Sequence, residues 1–477
     1  MNFNFYENGC ADYIKKLSYR DLIIFLIPFI IFMVYLYVFN PGILTIDSYG
    51  QLHQIASGNF GNWHPFFHTF IEMICLKIYP DTKSVCVLQI LIFSLMWMII
   101  CNYHRRNDSN KFFILQVIIT FVISLIPINA IYSITLWKDI LFSYFLMFSC
   151  FLIEVLIDKD SDIGYLFIIV FSLTMAFVCQ LRPNGLIIII SLLIILAIYL
   201  FKKNKTKKLY IIVPALTILF ILLISSLNVV YDVHNDQKDV IFDKTTHILS
   251  YYDLNVNMSD DDRQKVHEMI SEKDIKKNFD IYLTDHTYAA SNESVFDEDK
   301  NSYIKLAIEY SLKNPLKFLE YIFESSNMVF DVTRDSEWIG YVYDIDLESS
   351  KDVIKNKFKI KPIATYENES SKNIGTPEYN YLYSIADTFK NNIILDTLFN
   401  SPALYWYLAL IMLGMMYIIT KSKEIFLIYL PCLLNILTII LSTPFQGNRY
   451  LYSNLLVFYL LIIIMLKLLY DKKICIN

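Results

Sequence analysis

Ten apolar runs, each close to the length of a bilayer-spanning helix, constrain this 477-residue chain more than any other feature. A helix needs about 20 mostly apolar residues to cross the hydrocarbon core of a membrane. The runs predict spans at 21–39, 84–101, 112–129, 139–157, 164–181, 185–201, 209–229, 401–420, 424–441 and 449–469. Charged residues make up only 18% of the chain, against about 25% in soluble domains. The sequence therefore predicts an all-α polytopic membrane protein with about ten transmembrane helices.

The charges are segregated along the chain. Residues 231–400 hold 32 acidic and 19 basic residues, whereas the remainder holds 14 acidic and 22 basic ones. This predicts an N-terminal transmembrane module (1–230), an acidic extracytoplasmic domain of mixed structure (231–400) and C-terminal transmembrane helices (401–477). Within the acidic domain, the pattern predicts a helix over 302–325, broken at Asn314-Pro315, and strand-like pieces after it. A nucleic-acid partner would require a basic exposed face, so none is expected.

The distribution of basic residues predicts the orientation in the membrane. If the apolar segment 65–79 lies along the interface, the segments on one side carry 16 lysines and arginines, against about five in the short loops opposite. Both termini would then be cytoplasmic. The Ile-, Asn-, Lys- and Tyr-rich composition is typical of an AT-rich genome, so the expected location is a bacterial plasma membrane. The first loop (40–83) would hold two short helices along the membrane surface, at 46–57 and 65–79. The polar residues discussed next share the extracytoplasmic side with the acidic domain.

Asp47 is a solitary carboxylate a few residues beyond the first span. With Tyr49 and Trp63 around it, the carboxylate would be partly desolvated, and its pKa would rise toward the range useful for a general base. The alternative is structural, because an aspartate at this position is also a good N-cap for a helix over 48–57. The two roles are compatible, and the local sequence leaves both open.

Three cationic residues are expected on the same face as Asp47. Arg182 lies in the four-residue link Arg-Pro-Asn-Gly, and Arg449 begins the last span. Guanidinium groups bind phosphate oxygens in a bidentate manner, although an arginine at a helix end also reaches lipid headgroups by snorkelling. Lys138, in Trp137-Lys138-Asp139, is a further candidate for binding phosphate. In that tripeptide Trp137 is typical of the aromatic belt, and Asp139 is expected as an N-cap.

Metal ions and transport are both disfavoured by the sequence. His64 and His68 are four residues apart but lie on either side of Pro65, so a helical pair of metal ligands is not expected. None of the eight cysteines lies in a metal-binding spacing, and we interpret them as packing residues. The spans contain almost no ionisable residues, whereas ion-coupled transporters usually need them at membrane depth.

The segments TIDSYGQ…GNWHPFFHT, LWKDILFS, LRPNG and NRYLY resemble membrane glycosyltransferases of the GT-C fold. This group includes the dolichyl-phosphate-mannose mannosyltransferases and the bacterial arabinose and galacturonate transferases. The layout is also similar: an acidic residue follows the first span, the first loop holds two membrane-parallel helices, and a larger extracytoplasmic piece follows the seventh span. The resemblance covers roughly residues 20–230 and 400–470 and leaves out the acidic domain.

The resemblance implies an inverting transfer of a sugar from a polyprenyl-phosphate-linked donor to a hydroxyl of a glycan, glycolipid or protein acceptor. Asp47 would be the catalytic base. The donor phosphate would be bound by Arg182, Arg449 and Lys138, and the substrates by His64, Trp63, Gln51 and Asn184. Because Ser48, and not a second acid, follows Asp47, the reaction is expected to need no cofactor, with a divalent cation as the disfavoured alternative.

Other functions remain open at this stage. A polysaccharide polymerase or O-antigen-ligase type of enzyme also uses lipid-linked donors and extracytoplasmic arginines, but it would not need Asp47. A flippase or transporter of lipid-linked sugars would relocate the sugar without transferring it. A sensor whose acidic domain binds a ligand would leave the placement of the arginines and Asp47 unexplained.

Overall fold

The computed structural model describes residues 17–105, 110–158, 163–203, 208–235, 240–333, 373–442 and 447–474. These residues form helices, with isolated bridges but no strand. The α-helices are, in chain order, α1 Tyr19–Val38, α2 Ile46–Ser57, α3 Phe66–Ile78, α4 Lys83–His104, α5 Asn110–Leu125, α6 Pro127–Ser133, α7 Lys138–Asp158, α8 Tyr165–Leu181, α9 Gly185–Lys202, α10 Val213–Val230, α11 Val240–Asn255, α12 Asp260–Met269, α13 Glu272–Asn278, α14 Asp285–Ala289, α15 Glu293–Glu298, α16 Lys300–Lys313, α17 Pro315–Ser325, α18 Asn327–Phe330, α19 Pro377–Asn391, α20 Ile393–Asn400, α21 Pro402–Thr420, α22 Leu430–Leu441 and α23 Tyr452–Ile474. A π-helix at Lys208–Ile212 precedes α10, and 3-10 helices at Lys423–Tyr429 and Asn448–Leu451 precede α22 and α23.

Eight helical segments in the described part of the chain are long and apolar enough to cross a membrane. They are Tyr19–Val38, Lys83–His104, Lys138–Asp158, Gly185–Lys202, Leu209–Val230, Pro402–Thr420, Lys423–Leu441 and Asn448–Asp471. Each coincides with one of the ten predicted spans to within a few residues. For the described residues, the prediction of an all-α chain built on apolar, membrane-length helices is thereby confirmed.

The other two predicted spans differ from the expectation. The run 112–129 is not one straight helix: α5 and α6 meet at Ile126 with a bend of 70°. Ile126 is extended because Pro127, which follows it, excludes the helical conformation from the preceding residue and has no N–H to donate. The run 164–181 forms α8, which has 17 residues and is shorter than the other candidates.

The chain divides into two compact units. Unit 1 takes the described residues of 1–235, 342–435 and 449–477, and unit 2 those of 236–341 and 436–448. In unit 2 an apolar core forms around Phe242, Tyr252 and Tyr303. The predicted break at Asn314-Pro315 is confirmed, since α16 ends at Lys313 and α17 begins at Pro315. The described part of the acidic domain is helical, so no mixed structure is seen there. The strand-like pieces predicted after Ser325 fall largely on 334–372, outside the described residues.

Helix α7 is the centre of unit 1. In its membrane-length stretch, 89% of the residues are buried, more than in any other of the eight segments. It packs against α4, α8 and α23. With 21 residues at about 1.5 Å each, α7 is about 30 Å long, close to the thickness of a hydrocarbon core. Lys138 and Asp139 lie at its first turn, and Glu154 and Asp158 at its last.

The last turn of α7 belongs to a polar cluster that the beginning of α1 and the end of α4 complete. Asp21 accepts hydrogen bonds from Arg105 Nη1 at 2.5 Å and from Asn102 Nδ2 at 3.0 Å. The backbone N–H of Ser18 adds a third at 2.7 Å. Asp158 accepts from Tyr103 Oη at 2.6 Å and from Lys467 Nζ at 3.3 Å, and His104 lies 3.2 Å from Glu154. We call this group the α7 C-terminal cluster.

Candidate active site

The start of the first loop is fixed against the segment that leads into α7. The Ile43 N–H donates to Ile134 O at 2.8 Å, and the Leu136 N–H donates to Ile43 O at 3.2 Å. Gly42 makes this approach possible: its φ is +110°, and a Cβ there would lie 2.9 Å from Ile134 O and 2.6 Å from Cys86 Sγ. The loop that carries Asp47 is therefore held beside the first turn of α7.

Thr45, and not Asp47, caps helix α2. Thr45 and Ser48 form a capping box, in which the Thr45 N–H donates to Ser48 Oγ at 3.1 Å. Ser48 Oγ in turn donates to Leu136 O at 3.0 Å, and Trp137 Nε1 donates to Thr45 Oγ1 at 2.8 Å. The N-cap role considered for Asp47 is thus taken by Thr45. Asp47 lies in the first turn of α2, with 27% of its side chain exposed, and turns toward Arg449.

Two arginines from distant parts of the chain meet at Asp139. Arg182 Nε lies 3.2 Å from Asp139 Oδ1, and Arg449 Nε lies 3.6 Å from Asp139 Oδ2. Arg449 Nη2 also contacts Asp47 Oδ2 at 2.8 Å. The two arginine side chains are 9% and 13% exposed, so they turn inward to this cluster and do not extend to the surface as snorkelling side chains would.

Aromatic rings flank both guanidinium groups. Arg182 lies over the ring of Tyr450 at 4.4 Å, and Arg449 lies over the ring of Trp137 at 4.5 Å. The Tyr450 carbonyl accepts from Arg182 Nη1 at 3.4 Å and from Asn435 Nδ2 at 3.0 Å. Trp137, expected only as a membrane-belt residue, is 6% exposed and forms one wall of the site.

His64 connects Lys138 to Asp47. The Lys138 ammonium donates to His64 Nδ1 at 2.7 Å, and His64 Nε2 lies 3.8 Å from Asp47 Oδ1. Burial and the nearby charge of Lys138 lower the pKa of His64 to about 4, so the ring is neutral near pH 7. Since Nδ1 accepts from the ammonium, the neutral ring carries its proton on Nε2, on the side of Asp47.

The pKa of Asp47 moves in the opposite direction to the expectation. Burial raises it, as expected, but Arg449, His64 in its protonated form and Lys138 together outweigh burial and bring the pKa below its ordinary value. The expectation of a raised pKa was wrong because the sequence shows the apolar surroundings of Asp47 but not the cations that gather around it. As the structure stands, Asp47 is an ionised carboxylate held by a guanidinium.

Gln51 lies between the two loop helices. It is 1% exposed, and its amide donates to Thr69 Oγ1 at 3.0 Å and lies 2.9 Å from His68 Nδ1. Beside it, Glu72 is fully buried 3.6 Å from His68. Burial raises the pKa of Glu72 well above its usual range and lowers that of His68 to about 3, so burial favours the neutral form of both side chains. Gln51, predicted to bind substrate, ties α2 to α3 in this structure.

The two remaining predicted binding residues lie in different settings. Trp63, in the turn before α3, is 46% exposed. Asn184, in the turn between α8 and α9, donates to Asn435 Oδ1 at 3.1 Å, and Asn435 is the residue that holds the Tyr450 carbonyl. Asn184 thereby helps to position the turn that carries Arg449.

Asp139 is the site residue that sequence reasoning missed. Its expected role was an N-cap, but α7 begins at Lys138, and the Asp139 carboxylate, which is 1% exposed, lies between Arg182 and Arg449. The signal available in the sequence was an aspartate beside a lysine at the start of a long apolar run. The cluster thus holds two carboxylates and three cations, Lys138, Arg182 and Arg449, with an excess of one positive charge when His64 is neutral.

No group of three or more histidine, cysteine, aspartate or glutamate side chains is arranged to hold a metal ion in the described part of the chain.

Known proteins offer no further guide to this site. Comparisons of the chain with protein-family models, with curated proteins and with solved structures find no match.

Proposed function

We propose that this protein is a membrane glycosyltransferase that moves a sugar from a polyprenyl-phosphate-linked donor to an acceptor hydroxyl. The observation that carries the proposal is the meeting of one accessible carboxylate, Asp47, with three cations in a single cluster of net positive charge. Departure of a lipid phosphate without a metal requires cations near the leaving oxygen, and attack by a hydroxyl requires a proton acceptor. The cluster supplies both within a few ångströms.

In the proposed reaction, an acceptor hydroxyl attacks the anomeric carbon of the donor. A new carbon–oxygen bond forms to the acceptor while the bond from the anomeric carbon to the phosphate oxygen breaks. The hydroxyl proton passes to Asp47, and the electron pair of the broken bond stays on the lipid phosphate. Arg182, Arg449 and Lys138 stabilise the charge that develops there. A single displacement inverts the configuration at the anomeric carbon.

The apolar helices around the cluster suit a donor that enters from the bilayer. Asp139 keeps the two arginines together, so that their charges act at one place. We propose that the site lies on the extracytoplasmic face of a bacterial plasma membrane and that the acceptor is a glycan, glycolipid or protein. No cofactor is needed in this scheme.

The test is the composition of the surface glycans in a host strain that lacks this protein. The strain is complemented with the wild type, with Asp47→Asn or with Asp387→Asn, after equal membrane levels have been verified. Asp387 is a matched control because its contact is an exposed hydrogen bond with Asn391 on α19. We expect the wild type and Asp387→Asn to restore a missing sugar and Asp47→Asn to fail.

Equal restoration by Asp47→Asn would refute the assignment of the base. It would favour a polymerase or ligase type of enzyme, in which the arginines act without Asp47. If the purified wild type relocates a lipid-linked sugar between leaflets but transfers it to no acceptor, the protein is a flippase and not a transferase.

A further inference from the structure

Asp47 and the phosphate of the proposed donor would need the same guanidinium. Arg449 Nη2 contacts Asp47 Oδ2 at 2.8 Å, the shortest of the ion-pair contacts given above for the two arginines. A guanidinium presents five N–H donors in one plane, and Arg449 already directs its Nε toward Asp139. A phosphate that binds to the Nη2 side of Arg449 therefore competes directly with Asp47.

The ion pair also leaves Asp47 a poor proton acceptor. The charge of Arg449 helps to bring the pKa of this carboxyl below its ordinary value. A general base is most effective when its pKa lies near the working pH. Removing Arg449 from Asp47 while the site remains buried would remove the largest of the influences that lower this pKa and would therefore raise it.

We propose that binding of the donor phosphate displaces Asp47 from Arg449, so that the donor itself frees the carboxylate that accepts the proton. This inference rests on the proposed function and adds an order to it: the acceptor is deprotonated only after the donor is bound. Without the donor, an incoming hydroxyl, including water, meets a carboxylate that is already paired.

The surroundings of Arg449 suit an exchange of partners. Asp139 and the Trp137 ring, 4.5 Å from the guanidinium, keep Arg449 in place whichever anion it contacts on its other side. Asp47 is the more exposed of the two carboxylates, 27% against 1% for Asp139. When released, Asp47 keeps His64 Nε2 as a neighbour at 3.8 Å. The carboxylate can thus separate from Arg449 without losing all of its polar contacts.

The experiment measures binding of a tritiated polyprenyl phosphate to the full-length protein in nanodiscs, with the corresponding polyprenol as the uncharged control. If Asp47 and the phosphate compete for Arg449, Asp47→Asn will bind the polyprenyl phosphate at least about fivefold more tightly than the wild type. Affinity for the polyprenol and for both ligands in Asp387→Asn will not change. Asp47→Ser, which also removes the carboxylate, has the same expected sign and replaces Asp47→Asn if that variant does not fold.

A second pair of variants separates exchange at Arg449 from simple repulsion between Asp47 and the phosphate. In an Arg449→Gln background, Asp47→Asn will change the affinity less than twofold if the competition is for Arg449. An undiminished gain in that background identifies repulsion and overturns the proposal.

The remaining outcomes also decide the matter. Equal or weaker binding by Asp47→Asn overturns the displacement but leaves the proposed transfer reaction standing. A wild type that binds the polyprenyl phosphate no better than the polyprenol overturns the displacement and the proposed function together.

Discussion

Helix α7 carries charged residues at both ends, and the two clusters that form there are built differently. At its C-terminal end, Asp21 is paired with Arg105 and also accepts hydrogen bonds from Asn102 and Ser18. At its N-terminal end, Asp139 is shared between Arg182 and Arg449, and neither carboxylate oxygen has a hydrogen bond of good geometry. Asp21 is thus satisfied by hydrogen bonds as well as by its cation, whereas no hydrogen bond from the described residues to the Asp139 carboxylate accompanies its two ion pairs.

We interpret this difference as one between a structural cluster and a candidate functional one. A buried charge whose partners are all present holds helices together, and adding a ligand would only disturb it. A buried cluster with more cations than carboxylates, and with one carboxylate exposed, has capacity to bind an anion. A buried ion pair by itself therefore indicates neither a structural nor an anion-binding role. The ratio of cations to carboxylates and the number of hydrogen bonds to each carboxylate are better criteria.

The largest expected effect follows from removing the shared cation. Arg449→Ala will lower kcat/KM for sugar transfer by about 10³-fold, comparable to the loss of a key electrostatic contact to a developing charge. Arg449→Lys will retain only part of the activity, because one ammonium group does not match the planar fork that reaches both Asp47 and Asp139. The measurement is the steady-state rate with a purified lipid-linked donor.

Lys467→Ala is the control for this prediction, since Lys467 lies near the far end of α23, the helix that follows the 3-10 turn of Arg449. It pairs with Asp158, which is 52% exposed, so the contact contributes little to stability. Its kcat/KM will stay within about twofold of the wild type. Similar losses in Arg449→Ala and Lys467→Ala would mean that the two clusters do not have separate roles.

The next effect is on stability. Asp21→Asn removes the buried ion pair between Asp21 and Arg105, and breaking such a pair costs about 3 kcal/mol of unfolding free energy. The unfolding midpoint in detergent will fall, while kcat/KM per folded molecule will not change. Lower catalytic efficiency at full occupancy of folded protein would contradict the structural role of this cluster.

The sequence predicted more of the fold than of the cluster, for a physical reason. Apolar runs predict helices because a buried or lipid-exposed backbone must form its hydrogen bonds within the segment. The bend at Ile126 was not predicted, but Pro127 explains it. Asp47, Lys138, Arg182 and Arg449 were predicted one at a time, from their positions at helix ends. That Asp139 joins two arginines 267 residues apart depends on contacts across helices, which no local pattern contains.

A smaller effect is expected in the pH profile. A carboxylate with a depressed pKa is lost as a proton acceptor only as the pH falls through that pKa. For the free enzyme, kcat/KM will therefore be flat from about pH 5 to about pH 7, above the ordinary value for aspartate, because the neighbouring His64 is also neutral in that range. In Arg449→Gln, burial remains while the opposing charge is gone, so the acid limb of the residual activity will move to higher pH.

The same profile tests the displacement of Asp47 by the donor. The pH dependence of kcat reports the enzyme with substrate bound, where Arg449 would contact the phosphate. Its acid limb will therefore lie at higher pH than that of kcat/KM. Coincident limbs in the wild type would show that the donor leaves the Asp47–Arg449 pair intact.

The smallest effect compares two tryptophans that each donate one hydrogen bond to a threonine. Trp137 Nε1 donates to Thr45 at the site, and Trp97 Nε1 donates to Thr120 in the interior between α4 and α5. Replacement by phenylalanine removes a bond that contributes about 1 kcal/mol in either place and keeps an aromatic ring. Trp97→Phe will lower the unfolding midpoint and leave kcat/KM unchanged. Trp137→Phe will also reduce kcat/KM, by about threefold to fivefold, because the freed Thr45 cap loosens the turn that carries Asp47. Equal kinetics in the two variants would mean that the position of Asp47 depends on its ion pair alone and not on the capped start of α2.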